Sequence, residues 1–263
     1  MATANDIEKL IGNLCTPLGV GYAVQSVRPT NELDALAEEA ERNLSGTETE
    51  WFVTLRSNKR RAEYCAGRIA VKRLLSQPPF QLCVSSFEVA RASNGAPYLR
   101  RRDDTNGRHV PSFVEPHISI THSAEFAVAV ASSFPIGIDL EQEEPRPDSF
   151  VRHFLADGEQ AHVGSLAVEQ RAAAINRFWS RKEAVSKVHG WGSSLIFRDL
   201  DCTRDWVLVG ESKIRCVSAA REGFVASLAC GSSTGSAGHC PGFVEQGLRQ
   251  VPPISTTDSL NHG

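Results

Sequence analysis

The sequence IGIDLE, at residues 136–141, carries the strongest pattern in this chain of 263 residues. Side chains alternate between the two faces of an extended strand, so the three aliphatic residues share one face, and Gly137, Asp139 and Glu141 share the other. Two carboxylates about 7 Å apart on one face repel each other and lose solvation on burial unless a cation neutralises them. Such oxygen ligands suit Mg²⁺, which keeps several waters and usually also takes substrate phosphate.

A second stretch, FWSRKEAVSK at residues 178–187, has the spacing of a helix. Glu183 and Lys187 lie one turn apart on the flank of an apolar sector, and Lys182 falls in the middle of that sector. A lysine that only improves solubility is not expected there. A third carboxylate and two lysines beside the acidic strand predict a site for both a metal and a phosphate. The apolar sector consists of Ile175, Phe178, Trp179 and Val185.

Each part of this pattern also has an ordinary structural explanation. An Asp-x-Glu sequence at a strand end is usually a solvent-exposed edge. A Glu183–Lys187 pair is usually a surface pair that stabilises its helix by about 0.2–0.5 kcal/mol. The occurrence of both together, with Gly137 among the aliphatic residues of the strand, favours the functional interpretation.

The two stretches resemble the two signature blocks of the 4′-phosphopantetheinyl transferases, and their spacing resembles the Sfp-type, pseudo-dimeric branch. Two further blocks agree with the resemblance, GAPYL at 95–99 and ISITHS at 118–123. The basic block RAEYCAGR at 61–68 is similar to that of members associated with siderophore synthetases. No single block is specific, but the ordered set is, and the resemblance covers about residues 56–191.

The resemblance implies an α+β fold of two similar α/β halves related by pseudo-twofold symmetry, with the active site in the cleft between them. The sequence itself shows no strong internal repeat. We place the N-terminal half at residues 1–134 and the C-terminal half at 135–230. Residues 231–263 are rich in Gly, Ser, Thr and Pro with few apolar residues, so we expect a disordered tail.

The resemblance also implies an activity, that of a Mg²⁺-dependent holo-[acyl-carrier-protein] synthase, in which Mn²⁺ could replace Mg²⁺. Such an enzyme transfers the 4′-phosphopantetheine moiety of its co-substrate coenzyme A to a serine of an apo acyl or peptidyl carrier protein, and releases adenosine 3′,5′-bisphosphate. The pathway served, whether fatty acid, polyketide, nonribosomal peptide or siderophore synthesis, stays open. Two alternatives also stay open: another Mg²⁺-dependent phosphate-transfer enzyme or hydrolase, and a non-catalytic relative that binds carrier proteins.

The resemblance assigns roles to individual residues. The positions that correspond to metal ligands are Asp139, Glu141 and Glu183. The catalytic residues are Glu183, the candidate base, and Lys187. The residues expected to bind coenzyme A are Arg56, Arg61, Arg91, Thr121, His122, Lys182 and Lys187.

One position departs from the family pattern. Many relatives carry a lysine that contacts the coenzyme phosphate where this chain has Ala96. Arginine presents a planar donor fork that suits phosphate oxygens. We therefore expect Arg91, or one of the arginines at 100–102, to supply the missing contact.

Composition limits the remaining possibilities. Seven scattered cysteines without a C-x-x-C pair favour reduced thiols in a cytoplasmic protein over a disulfide framework or a zinc site. No apolar run approaches the roughly 20 residues of a membrane span, and the first residues lack the pattern of a secretory signal. We expect a monomer that binds neither nucleic acid nor membranes and docks carrier proteins through a locally basic rim.

Hydrophobic periodicity and turn residues predict the secondary structure. We expect a turn at 45–46, a turn-rich loop at 91–97, a polar loop at 100–111 and a helix break near 157–158. The predicted helices span 31–43, 60–75, 150 to the break, and 167–189; the predicted strands span 21–27, 84–89, 117–121, 126–132, 136–141, 200–208, 213–218 and 224–229.

Overall fold

The computed structural model describes residues 2–28, 31–102, 115–190 and 195–231. The predicted tail at 232–263 and most of the predicted loop at 100–111 lie outside the described residues. The helices are α1 (Ala4–Cys15), α2 (Leu33–Asn43), α3 (Gly46–Thr54), α4 (Asn58–Leu75), α5 (Asp148–Phe154), α6 (Asp157–Ser165) and α7 (Val168–Val188). The strands are β1 (Gly21–Ser26), β2 (Phe87–Arg91), β3 (Pro97–Arg101), β4 (His117–Ser123), β5 (Phe126–Ser132), β6 (Ile136–Gln142), β7 (Trp206–Val209), β8 (Ser212–Arg221) and β9 (Phe224–Cys230).

Two antiparallel sheets form the body of the protein. They share a strand order in which the first strand along the chain pairs with the last, and the last pairs with the strand before it. One sheet has the order β1-β5-β4 and the other the order β6-β9-β8-β7, while β2 and β3 form a separate hairpin. A long helix packs on each sheet, α4 on β5 and β1, and α7 on β9 and β6. The central strands β5 and β9 are buried along their whole length, which explains their nearly continuous apolar sequences. The α+β class expected from the sequence is confirmed.

The main hydrophobic core lies between the two sheets. Ile136, Ile138 and Leu140 belong to it, so the aliphatic face predicted for β6 is confirmed. α1 covers this core from the side, with Ile7 and Ile11 fully buried. The helix contacts β1 of one sheet and β8 of the other.

β6 lies beside β4 where the two sheets meet, and hydroxyl side chains join them. Three hydroxyls of β4, at alternate positions, accept hydrogen bonds from alternate backbone N–H groups of β6. They replace the carbonyl acceptors that an ordinary strand pairing would supply. The pairs are Ile138 N–H with Ser119 at 3.1 Å, Leu140 N–H with Thr121 at 3.3 Å, and Gln142 N–H with Ser123 at 2.9 Å.

Several sequence-based expectations about elements are wrong. Residues 4–15 form a helix where no helix was predicted, and the turn predicted at 45–46 begins α3. A break does follow Phe154, close to the predicted position, but α6 begins at Asp157, where Glu159 accepts a hydrogen bond from the Ala156 N–H. Residues 97, 100 and 101, which were predicted as loop, belong to strand β3 of the hairpin. None of the described helices is long and apolar enough to cross a membrane.

Candidate active site

Asp139 lies in the middle of β6 and is only 4% exposed. Its Oδ1 accepts hydrogen bonds from Lys187 Nζ at 2.8 Å and from the Thr121 hydroxyl at 3.1 Å. Its Oδ2 is buried and has no hydrogen-bond partner among the described residues. A buried carboxylate oxygen without a donor is costly. This oxygen is therefore suited to a cation that enters the site.

Glu141 lies two residues further along the same face of β6. Its Oε1 accepts a hydrogen bond from Trp179 Nε1 at 2.8 Å, and its Oε2 accepts one from Arg146 at 3.3 Å. Burial, with further repulsion from Asp139, raises the pKa of Glu141 to about 7. The hydrogen bond from Trp179 and the charge of Arg146 offset only part of this rise.

Glu183 and Lys187 approach β6 from α7. Lys187 Nζ binds the backbone carbonyl of Ile138 at 3.0 Å in addition to Asp139. Burial raises the pKa of Glu183, Asp139 raises it further, and Lys187 lowers it in part. Both residues line a cleft of about 500 Å³ between α7, β4 and residues 94–99, which include the start of β3. The cleft therefore presents one cation and one carboxylate next to the buried aspartate.

The donor set fits a divalent ion, although its members are not gathered around one point. Within the described ranges, no group of three or more His, Cys, Asp and Glu side chains is placed to hold a metal. Glu141 is instead oriented towards Trp179 and Arg146. Asp139 nevertheless raises the pKa of both glutamates and has one open oxygen. Carboxylates with an open oxygen suit Mg²⁺, and the three metal assignments stay predictions.

The raised pKa of Glu141 predicts a pH dependence of stability in the metal-free protein. The folded state keeps this proton up to a pKa of about 7, whereas the unfolded chain loses it near 4.5. The folded state therefore loses up to about 3 kcal/mol of stability as the pH rises through this window. Denaturant unfolding in EDTA at pH 5 and pH 8 measures the loss. Glu141→Gln should reduce the difference between the two pH values, and an undiminished difference in this variant would contradict the assignment.

Lys182 does not lie at the cleft, so the phosphate contact predicted for it is wrong. Its side chain is fully buried on the opposite side of α7 and forms an ion pair with Glu159 at 2.8 Å. It also donates to the backbone carbonyls of Phe197 and Leu200. The unusual position of this lysine in the apolar sector thus has a different cause, an acid that the sequence analysis missed.

Thr121 and His122, adjacent on β4, differ in accessibility. Thr121 is buried, and its hydroxyl serves Leu140 and Asp139, so it is not available for the predicted coenzyme contact. His122 is half exposed, with Nδ1 3.9 Å from Glu63 Oε1. Desolvation lowers the pKa of His122, and the Glu63 carboxylate partly offsets that effect. His122 therefore stays a candidate for a phosphate contact.

His122 and Arg91 line a common cavity of about 220 Å³. A larger cavity of about 770 Å³ lies between α3, α4 and the β2–β3 hairpin, and Arg91 and Trp51 line both. The Arg91 guanidinium lies 5.6 Å from the centre of the Trp51 ring. The two cavities together present aromatic surface and positive charge beside His122.

Arg68 also lines both cavities, and the sequence analysis did not select it. It is 9% exposed and lies 3.7 Å over the Tyr64 ring, and its Nε has no hydrogen-bond partner among the described residues. Burial lowers its pKa. The sequence signal that could have identified Arg68 is its position one helical turn after Tyr64 within the basic block.

The remaining predicted cations differ in their surroundings. Arg61 donates to the backbone carbonyls of Leu55 and Val53, at 2.9 and 3.3 Å, and so fixes the end of α3. Arg56 is exposed, and neither Arg56 nor Arg61 lines the three cavities described above. Their coenzyme contacts stay predictions without structural support.

The Ala96 position is adjacent to the cleft. Of the cations expected to replace its missing lysine, Arg100 is bound to Glu88, whereas Arg91 lines the 220 Å³ cavity together with Gly95 and His122. The loop is anchored to the end of α7, because Asn94 Nδ2 donates to the Gly190 carbonyl at 2.7 Å.

Comparisons with known proteins show which family this chain is similar to. The family model of the 4′-phosphopantetheinyl transferase superfamily matches residues 135–227. The 4′-phosphopantetheinyl transferase psf-1 of Bacillus pumilus is 26% identical over 128 residues, which are 49% of this chain and 50% of that protein. The holo-[acyl-carrier-protein] synthase of Petrotoga mobilis is 34% identical over 119 residues, 43% of this chain and 92% of that protein.

A solved structure is also similar in part. It is a holo-(acyl-carrier-protein) synthase from Bacillus anthracis in complex with CoA (3′,5′-ADP), with 27% identity and a TM-score of 0.32. The match covers 43% of this chain and 93% of that one. The chain spans half the length of the Bacillus pumilus relative.

Proposed function

Because this chain belongs to the 4′-phosphopantetheinyl transferase superfamily, we propose that it transfers the 4′-phosphopantetheine moiety of coenzyme A to a serine of an apo carrier protein. The observation that supports this most strongly is the open, buried Oδ2 of Asp139 beside Lys187 and Glu183. Phosphoryl transfer needs fixed positive charge and oxygen donors for a metal where charge develops. Lys187 supplies a fixed positive charge, and Asp139 Oδ2 is an oxygen that is open to a metal.

The bond changes define what the residues must do. The serine oxygen attacks the β-phosphorus of the pyrophosphate, the bond to adenosine 3′,5′-bisphosphate breaks, and the serine proton leaves. Glu183 is the candidate acceptor of this proton, since burial raises its pKa and thereby favours the protonated product of that step. Lys187 is placed to offset charge on the departing phosphate.

Asp139, Glu141 and Glu183 would hold Mg²⁺ at this point. When bound, the ion would supply charge neutralisation on the pyrophosphate. Thr121 holds Asp139 in place, since its hydroxyl donates to Oδ1 while accepting a hydrogen bond from the β6 backbone.

The nucleotide end of coenzyme A would occupy the two cavities of the N-terminal half, which share Trp51, Arg68 and Arg91 among their lining residues. His122 lines the smaller cavity, Arg91 and Arg68 supply guanidinium groups to both cavities, and Trp51 offers a ring face. Guanidinium forks match phosphate oxygens, and a base stacks favourably on an aromatic ring.

The shared strand order of the two sheets supports two similar halves at residues 1–134 and 135–230. On this division the metal ligands and catalytic residues come from the C-terminal half. The candidate coenzyme-binding arginines and His122 come from the N-terminal half. The cleft between the halves would then bring the reacting groups together.

Intact-mass measurement tests the proposed reaction. The protein is incubated with coenzyme A, Mg²⁺ and a panel of apo carrier proteins from several classes. We expect at least one carrier to gain the mass of a phosphopantetheine arm in a Mg²⁺-dependent manner. No gain on any carrier would contradict the proposal, and release of adenosine bisphosphate without a carrier would favour a hydrolase.

Arg68 provides a prediction about coenzyme binding. Arg68→Met should raise the KM for coenzyme A about 10-fold or more and change kcat less than about threefold, because a charged hydrogen bond in a buried site contributes about 1.5–3 kcal/mol. Initial rates at varied coenzyme concentration measure both constants. Arg73→Met is the matched control, since Arg73 lies on the same helix, is half exposed and makes only long contacts, with Glu8 at 3.9 Å and with the Val24 carbonyl at 3.4 Å. An unchanged KM for Arg68→Met would remove Arg68 from the site.

A further inference from the structure

A fully buried ion pair holds α7 from the side opposite to the cleft. Lys182 and Glu159 are both completely inaccessible to solvent, and their charged atoms lie 2.8 Å apart. Glu159 also accepts hydrogen bonds from the Ala156 and Cys202 N–H groups, each at 2.8 Å. Lys182 donates to two backbone carbonyls of the 197–200 segment. The pair therefore joins α7 to the start of α6 and to the chain that leads into β7.

A second pair repeats this arrangement in the N-terminal half. Lys72 of α4 forms an ion pair with Glu48, and both side chains are almost completely buried. Glu48 accepts hydrogen bonds from the Ser45 N–H at 2.7 Å and the Val89 N–H at 2.8 Å. Lys72 also donates to the Asn43 carbonyl at 2.6 Å. This pair joins α4 to the start of α3 and to β2.

The two networks share one plan. In each, the acid is the third residue of a short helix and bonds back to the N–H that precedes this helix. Its other oxygen takes an N–H from the chain that follows the long helix, and the lysine comes from the long helix itself. The networks differ in what their long helices carry. α7 carries Glu183 and Lys187 of the cleft, and α4 carries Arg68 of the two cavities.

Each lysine lies close to a different functional group. Glu183 and Lys187 are one and five residues beyond Lys182, about 100° and 140° around α7, and both line the cleft. Arg68 is one turn before Lys72 on α4, and Arg91 is two residues beyond Val89 on β2. Thus one pair supports the acidic site, and the other supports the cavities lined by arginine.

Stability alone does not explain why these groups are charged. Replacing a buried ion pair by apolar groups of similar volume is often neutral or stabilising, because burial of the charges costs solvation energy. A buried pair with several directed hydrogen bonds does, however, fix the rotation and axial position of its helix. A displacement of about 1 Å in a reacting group can reduce the rate about 100-fold.

We propose that the two ion pairs are positioning residues with separate tasks in the transferase reaction assigned above, on which this inference rests. Lys182–Glu159 sets α7 so that Glu183 and Lys187 meet Asp139 in the geometry that the chemical step requires. Lys72–Glu48 fixes the positions of α4 and β2 so that Arg68 and Arg91 bind coenzyme A. The two lysines and Glu159 line none of the three cavities, and Glu48, which borders the 770 Å³ cavity, binds Lys72 and two backbone N–H groups with its carboxylate.

Two matched double variants test this division. Lys182→Met/Glu159→Gln and Lys72→Met/Glu48→Gln make the same chemical change in the two halves, and neither leaves a buried charge unpaired. We expect the first to lower kcat at least about 10-fold with the KM for coenzyme A within about twofold. We expect the second to raise that KM about 10-fold with kcat within about threefold. Thermal unfolding reports the folded fraction, to which kcat is normalised.

Coenzyme A binding by calorimetry gives a readout that does not depend on turnover. The Lys72→Met/Glu48→Gln variant should bind about 10-fold more weakly than the wild type, and the Lys182→Met/Glu159→Gln variant should bind normally. The inference is overturned if both variants change kcat and KM alike, or if the lost activity only follows the lost folded fraction. A wild type that binds coenzyme A but transfers nothing would instead contradict the proposed function, while the binding comparison would still decide the role of Lys72–Glu48.

Discussion

Replacing Asp139 with asparagine is expected to lower kcat/KM for phosphopantetheine transfer about 1,000-fold, which corresponds to on the order of 4 kcal/mol of transition-state stabilisation. Asparagine has the same size and can keep the hydrogen bond from Thr121. It removes the charge that pairs with Lys187 and replaces the open carboxylate oxygen by a group that binds cations weakly. The loss therefore reports electrostatics rather than packing. Time courses of carrier mass at saturating Mg²⁺ measure it.

The control for this variant is Asp148→Asn, which changes an exposed aspartate in the first turn of α5. It should keep full activity. Unfolding of Asp139→Asn in denaturant should show a folded protein, since neither volume nor strand geometry changes. If Asp139→Asn retained more than about a tenth of the activity, the assignment of the acidic site to Asp139 would be wrong.

The sequence predicted well those parts of the site that lie within one element. Alternation along β6 predicted opposite faces for Ile138 and Asp139, and the structure places Ile138 in the core and Asp139 against Lys187 of α7. Helical spacing brought Glu183 and Lys187 to the same side of α7, where both line the cleft. Both predictions depend on a local period, which is read directly from the spacing of residues along the chain.

Lys182 shows where local spacing stops being informative. Its place in the apolar sector marked it as unusual, but the spacing could not identify the partner. Glu159 is the third residue of α6, a helix that was not predicted, and it reaches Lys182 only through tertiary packing. A phosphate was therefore predicted where a buried carboxylate lies.

Thr121 illustrates the same limit between strands. Its hydroxyl accepts a hydrogen bond from the Leu140 N–H of β6, because β4 lies beside β6 where the two sheets meet. The sequence does not encode that adjacency in a local pattern. α1 likewise depends on packing between β1 and β8, which are nearly 200 residues apart in the chain. The repeated strand order of the sheets also has no counterpart in a repeated sequence.

Gly137→Ala is expected to produce the largest loss of stability of any single substitution proposed for this protein, at least about 3 kcal/mol. A Cβ at this position would lie 2.0 Å from the backbone carbonyl oxygen of Ala184 and 3.1 Å from Lys187 Cβ. A backbone atom inside a helix cannot rotate away, so α7 must move off β6. Denaturant unfolding with a two-state fit measures the change in the free energy of unfolding.

This substitution should also reduce activity beyond its effect on folding. Lys187 binds Asp139 and the Ile138 carbonyl only because α7 lies so close to β6. When α7 moves, Glu183 and Lys187 move with it, so the remaining folded protein should still have a lower kcat. Activity per folded molecule, measured well below the unfolding midpoint, separates the two effects.

Two other glycines provide graded controls. Gly164→Ala in α6 meets nothing within 4 Å and should be neutral or stabilising by up to about 1 kcal/mol. A Cβ on Gly21 would meet the side-chain ends of Phe80 at 2.9 Å and Leu74 at 3.1 Å, which can shift, so Gly21→Ala should cost less than Gly137→Ala. The expected order of stability is Gly164→Ala, then Gly21→Ala, then Gly137→Ala. If Gly137→Ala unfolded like the wild type, α7 would not lie in close contact with β6 at this glycine. The close packing that places Lys187 beside Asp139 would then be contradicted.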